Sequence, residues 1–206
     1  AALIVLPLGV RQEFTRDAVQ LLEWTEPPAY VRNMREVMER MDRDRIFLTN
    51  YERVRDGDID PKRFMACALD EASVLRSFGS KTYQTFMDKF SGVGYKLVCT
   101  ATPSPNRYKE LIHYAGFLGV MDTGQALTRF FQRDSQKAGN LTLYPHKEEE
   151  FWLWVSTWAL FISRPGDLGY DDGGYVLPPM EVRYHRLEAA EAPTVDRDGQ
   201  EHMVRD

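Results

Sequence analysis

Asp70 and Glu71 stand side by side at the end of a short run of small and apolar residues, Met65-Ala66-Cys67-Ala68-Leu69. A polar stretch, Ser77-Phe78-Gly79-Ser80-Lys81, comes after them. This is the pattern of a parallel strand buried on both faces and ending at a site. In open α/β sheets, ligands gather at the carboxyl ends of such strands. Two carboxylates there suit a hydrated Mg²⁺ and a polarised water: Asp70 holds the metal or its water shell, and Glu71 orients or deprotonates the attacking water. Taken alone, Asp-Glu after an apolar run reads equally well as a solvated strand end. A second run narrows the choice. Tyr95-Lys96-Leu97-Val98-Cys99 is strand-like and closes in Thr100-Ala101-Thr102-Pro103. One buried strand ending in Asp-Glu-Ala-Ser and the next in Thr-Ala-Thr-Pro is a more specific constellation than either end alone.

The elements that must position these ends alternate between strand and helix, which predicts an α/β fold with a parallel sheet. Leu3 to Leu6 reads as a strand broken by Pro7 and Gly9, followed by a helix with Val10, Phe14, Ala18, Leu21 and Leu22 at helical spacing. Tyr30-Val31 reads as a short edge strand, Arg35 to Met41 as a surface helix, and Ile46-Phe47-Leu48-Thr49 as a strand closing at Asn50-Tyr51-Glu52. Asp56-Gly57-Asp58 and Asp60-Pro61 are turn signals without the spacing of a calcium loop. A helix capped by Ser80 carries the stripe Tyr83, Phe86, Met87 and Phe90. Beyond the Thr-Ala-Thr-Pro end, Pro103-Ser104-Pro105-Asn106 opens a helix with Tyr108, Leu111, Ile112, Ala115 and Leu118 inward, leaving His113 on the surface. Thr123 caps a further helix, Gln136 to Asn140 is a polar loop, and Glu148-Glu149-Glu150 starts a tryptophan-rich helix at its favourable dipole end. That helix is apolar nearly all round, so it is buried or meets another domain. Pro165 to Pro179 reads as a connector, placing a boundary between 1–164 and 165–206. Val182, Tyr184 and Leu187 alternate as a strand would, and the charged tail from Ala189 is expected to fray.

Composition bounds the answer. The 206 residues carry 43% hydrophobic and 28% charged side chains with a net charge of −5, enough for a real core. The balance excludes a strongly basic nucleic-acid protein but not a basic patch on one face. Cys67 and Cys99 both fall in strands expected to be buried, which suits thiols in a reducing cytoplasm. There is no Cys-x-x-Cys and no zinc pattern. No signal peptide is visible, and the first residues already read as a strand, as though the chain began in mid-fold. The longest apolar stretch, Phe151 to Ile162, is too short to cross a membrane.

Asp70-Glu71-Ala72-Ser73 resembles motif II, the DEAD/DEAH-type Walker B element, of superfamily 2 helicases, and Thr100-Ala101-Thr102-Pro103 resembles their motif III. Leu75-Arg76-Ser77 with Ser80-Lys81 is similar to the segment just past motif II in the SNF2 branch, and the resemblance to SNF2-like helicases of phages and prophages runs from Leu6 to Pro179. It implies a RecA-like lobe and an ATP-dependent DNA helicase or translocase of the bacterial or phage-infected cytoplasm. ATP and Mg²⁺ would be the cofactors. Asp70 would hold the metal, Glu71 would activate water, and Thr100 and Thr102 would link the nucleotide state to nucleic-acid grip. Ser73 stands at a position more often Asp or His in the family, which touches only its coupling role. Motif Ia falls on Gly9, Arg11 and Gln12 and motif Ib on Thr49, Asn50 and Tyr51, both implied contacts to a DNA backbone, in duplex form. Leu177-Pro178-Pro179 resembles the linker to a second RecA-like lobe, a further partner.

The phosphate cradle of that family, G-x-x-x-x-G-K-[ST], has no counterpart, since no Gly-Lys dipeptide occurs in the chain. The expectation is therefore an incomplete first lobe without its P-loop strand, leaving the Leu97–Thr100 strand as an apolar edge prone to pairing. An alternative is a non-catalytic lobe that binds nucleic acid or protein. A phosphohydrolase using Asp70 and Glu71 without a P-loop lacks the further ligands such sites need.

Overall fold

The structure is a computed structural model and describes residues 1–76, 81–104, 107–133, 140–185, 194–195 and 201–202. It divides into two compact units, Ala1–Leu160 and Phe161–Asp206. The first contains a parallel sheet of β1 (Ala2–Leu6), β2 (Ala29–Tyr30), β3 (Ile46–Asn50), β4 (Ala66–Leu69) and β5 (Tyr95–Val98), in spatial order β2-β3-β1-β4-β5. Register is fixed along the whole width: Ile4 lies beside Leu48 and Ala68, and Ala68 beside Leu97. Helices α1 (Arg11–Gln20), α2 (Met34–Arg40), α3 (Tyr51–Asp56) and α4 (Lys81–Lys89) connect the strands. Beyond β5 come α5 (Lys109–Leu118), α6 (Thr123–Phe130), the antiparallel pair β6 (Phe131–Arg133) and β7 (Leu141–Leu143), and α7 (Glu148–Ser156).

The strand order assigns the helices to faces. The crossover from β1 to β2 runs in the opposite direction to those from β2 to β3, β3 to β4 and β4 to β5. Right-handed crossovers therefore put α1 on one face and α2, α3 and α4 on the other. The many-helix face carries Leu3, Val5, Phe47, Cys67 and Leu69, all buried and all in the principal apolar cluster with Phe64, Phe86, Phe90 and Phe117. Lys96, on the same face of β5, lies over the Phe117 ring of α5 at 5.3 Å. On the α1 face, Leu6, Leu48 and Ala18 are buried outside that cluster, whereas Tyr95 and Leu97 are 69% and 59% exposed.

Several expectations change. Cys99 lies one residue past β5 and is exposed, while Cys67 is buried and its thiol is pushed up to about 12 by desolvation. The α1 stripe stops at Ala18, because the helix ends at Gln20 and Leu21 and Leu22 point to solvent. His113 is not a surface residue. It is 5% exposed, because α5 buries Glu110–Ala115 on nearly every side. The side chain that caps α6 is Asp122, accepting from the Gln125 amide at 3.0 Å, rather than Thr123. Val182 and Tyr184 are exposed and belong to no strand. The Ser80 cap, Ser77, Pro105, Asn106, residues 136–139 of the polar loop, Leu187 and most of the tail lie outside the described residues.

The second unit holds a short turn of helix at Pro165–Leu168, braced by Arg164 pairing with Asp167 and Asp172, and a two-residue antiparallel pairing of 194–195 with 201–202. Among the described residues no helix is long and apolar enough to cross a membrane.

Candidate functional site

Every candidate residue lies at the carboxyl edge of the sheet, as parallel strands dictate. At the end of β4 the chain turns sharply. The Asp70 amide donates to the Val5 carbonyl of β1 at 2.8 Å, and the Ala72 amide donates to the Cys99 carbonyl past β5 at 3.0 Å. Between them Glu71 takes a left-handed backbone, φ 49°, which a side chain with a Cβ adopts only when its neighbours enforce it. The Glu71 amide donates to Asp70 Oδ1 at 3.0 Å, and the Ser73 amide to the Glu71 carbonyl at 2.7 Å.

The turn brings the two strand ends together. Thr100 Oγ1 donates to Glu71 Oε1 at 3.3 Å, and the Thr102 amide donates to Thr100 Oγ1 at 3.2 Å. Asp70, Glu71, Ser73 and Thr100 are half-buried, and Thr102 is exposed. The arrangement leaves Asp70 with one carboxylate oxygen engaged by an amide, and Glu71 oriented by a hydroxyl. That donor set fits Mg²⁺ held by one protein carboxylate with water and phosphate oxygens completing its shell. Among the described residues there is no cluster of three or more His, Cys, Asp or Glu that would cage a metal by itself. The site's field is visible in its neighbours. Burial, then Asp70 and Glu71, hold the Tyr51 hydroxyl protonated far above its usual range. Partial burial of its sulfur and the nearby Asp70 raise the Cys99 thiol.

At the ends of β1 and β3 the outcome is divided. Gly9 lies exposed in the short helical turn Leu8–Val10, Gln12 is exposed, and the Arg11 guanidinium lies 4.6 Å over the Tyr30 ring. These three residues present a surface. Thr49, Asn50 and Tyr51 do not. Thr49 is fully buried and donates to the Val31 carbonyl at 2.9 Å. Asn50 is 6% exposed and accepts from the Tyr30 hydroxyl at 3.0 Å. Tyr51 turns inward, packs tilted against Phe86 with ring centres 5.6 Å apart and donates its hydroxyl to the Asp70 carbonyl at 2.7 Å. The physical reason is the position of β3 between β1 and β2, which leaves its end residues walled in on both sides. Sequence reading missed the tie from Tyr51 to Asp70; nothing in Thr-Asn-Tyr distinguishes a residue aimed at a neighbouring strand from one aimed at solvent.

No protein-family model matches the chain, and no curated protein does. Among solved structures it is similar to the Sulfolobus solfataricus SWI2/SNF2 ATPase core in complex with dsDNA, with a TM-score of 0.53 and 17% identity over 77% of this chain. The chain spans 33% of that protein's length. The likeness is one of fold: an α/β, five-stranded parallel sheet flanked by helices, as in a RecA-like lobe of that ATPase core.

Proposed function

We propose that the chain is part of the first RecA-like lobe of an ATP-dependent DNA translocase of the SNF2-like helicase superfamily, of the phage type, working in the cytoplasm. One observation carries the reading: Glu71, on its left-handed turn at the end of β4, meets Thr100 at the end of β5. A carboxylate pair linked in this way to the neighbouring strand can serve hydrolysis and register its progress. Asp70 binds Mg²⁺, which when bound offsets the charge of the phosphate oxygens. Glu71 orients the attacking water and takes its proton. Thr100 senses the state of Glu71 through their hydrogen bond and passes it to Thr102. Ser73 lies beside the nucleotide. Gly9, Arg11 and Gln12 contact the DNA backbone, with Arg11 as the phosphate partner; a duplex bound to the structural neighbour supports DNA as the partner. Residues from 165 on lead to a second RecA-like lobe.

The absent Gly-Lys dipeptide favours a second reading, a lobe that binds nucleic acid or protein without a nucleotide cradle of its own. The two separate in one experiment. ATP binding and Mg²⁺-dependent hydrolysis are measured on this chain and on a version extended upstream to include a phosphate cradle, each with and without duplex DNA. Glu71→Gln is measured beside the extended version. The expected result is hydrolysis only in the extended version, falling by about a hundredfold or more in Glu71→Gln with ATP binding retained. Unchanged turnover in Glu71→Gln would remove Glu71 from catalysis, and silence in both versions would leave the binding lobe.

A further inference from the structure

Three neighbours fix the turn at Asp70–Glu71, and two of them act through main-chain groups: the Val5 carbonyl on the Asp70 amide and the Cys99 carbonyl on the Ala72 amide. Such bonds recur wherever parallel strands run side by side. The third is a side chain. Tyr51 reaches from the start of α3 to the Asp70 carbonyl at 2.7 Å, shorter than either main-chain bond. It accounts for an acceptor that the turn takes out of the sheet ladder, because β4 pairs with β1 and β5 only as far as Leu69.

We propose that Tyr51 is a positioning residue of this site: its hydroxyl, by holding the Asp70 carbonyl, keeps the Asp70–Glu71 peptide in the orientation that places Glu71 in the left-handed region and aims its carboxylate at Thr100. The importance of the turn to hydrolysis rests on the function proposed above; the geometric claim does not. The geometry supports it on three counts. The Asp70 carbonyl belongs to the same peptide unit as the Glu71 amide, which donates to Asp70 Oδ1, so rotation of that peptide would release both bonds together. A left-handed Glu costs free energy and persists only when its surroundings over-determine it. The Tyr51 ring is itself fixed against Phe86, so the hydroxyl is presented by a rigid lever.

The experiment is Tyr51→Phe in the 206-residue chain, which deletes the hydroxyl and keeps the ring on Phe86. Backbone amide hydrogen exchange and the carbonyl ¹³C resonance of Asp70 are read by NMR. The expected result is an upfield shift of the Asp70 carbonyl and exchange at Glu71 and Ala72 faster by about tenfold or more, with the Val5 and Leu69 amides unchanged. Exchange at Glu71 and Ala72 equal to that of the unsubstituted chain would overturn the proposal. So would a uniform acceleration across the sheet, which would mark Tyr51 as ordinary packing. No nucleotide enters this measurement, so it can fail while Glu71 remains catalytic, and it can succeed if Glu71→Gln shows that Glu71 is not.

Discussion

The two faces of the sheet obey the same alternation and end differently. On the face of α2, α3 and α4, the central strands contribute Leu3, Val5, Phe47, Cys67 and Leu69, each at most 3% exposed. On the α1 face, Leu6 of β1 and Leu48 of β3 are buried with Ala18, but β1 and β4 place Ala2, Ile4, Ala66 and Ala68 in partial exposure, and β5 adds Tyr95 and Leu97 in the open. Parallel sheets are ordinarily covered on both sides. The first face shows what supports the site: the aromatic cluster in which Tyr51 packs tilted against Phe86 and Phe86 stacks on Phe90 lies under the turn that carries the carboxylates. The second shows a surface built of small residues with a bulky rim at an unpaired edge, a shape suited to a covering strand and helix. Under the function proposed here, that cover includes the phosphate cradle.

The sharpest way to break this contrast is to remove a side chain from the closed face. Phe47 is fully buried and meets Phe64 edge-on at 5.9 Å. Phe47→Ala deletes a ring from a close-packed site and should cost about 3–5 kcal/mol, a large fraction of the roughly 5–15 kcal/mol that keeps a domain folded. Urea unfolding followed by circular dichroism measures it. A cost below about 1 kcal/mol would mean that the closed face is not the seat of the stability.

A second effect tests how dry the closed side is away from the sheet. Burial, helped by Lys109, lowers the His113 pKa to about 4 in the folded protein, against about 6.5 when unfolded. Between those values the unfolded chain binds the extra proton, so stability contributed by neutral His113 is present above about pH 6.5 and is lost as the pH falls toward 4. The expected loss is about 3 kcal/mol. His113→Gln should flatten that part of the stability–pH profile. A profile equally steep in the variant would assign the acid sensitivity to other groups.

The contrast also marks how far sequence reading reached. The four main strands, their parallel pairing and the two polar strand ends at Asp70–Glu71 and Thr100–Thr102 were legible, because an apolar run ending in carboxylates and another ending in Thr-Ala-Thr reflect physical demands on strand ends; the hydrogen bond between them was not. Burial of the polar residues was not. Thr49, Asn50 and Tyr51 read as the end of a strand, with the resemblance implying contact to a DNA backbone; only the spatial order shows that β3 lies between β1 and β2, where Thr49 and Asn50 bond to their neighbours. His113 was misjudged because helical periodicity assumes one wet side, and α5 is enclosed by elements far apart in sequence. Cys99 was misjudged in the opposite sense: the Leu97–Thr100 strand was expected to be an edge, but β5 ends at Val98 and Cys99 lies just past it, exposed. Single residues report their own preference, while edge or centre is a property of the whole topology.

Leu97 offers the finest test, because a change there should alter association more than folding. Its neighbour Lys96 already carries a charge on the closed face of the same strand, lying over Phe117 with its ammonium pKa lowered by burial, so β5 accommodates a long cationic side chain. On the open face a lysine has water to reach. Leu97→Lys should therefore change unfolding stability by no more than about 0.5 kcal/mol. It should also reduce self-association, since a charged edge strand pairs poorly. Sedimentation velocity over a concentration series, beside a thermal melt, reads both. Reduced association at unchanged stability would identify this face as the one that is covered in a larger assembly. A loss of stability approaching that of Phe47→Ala would show that Leu97 is as integral to the core as the residues of the closed face, and the distinction between the two faces would fail.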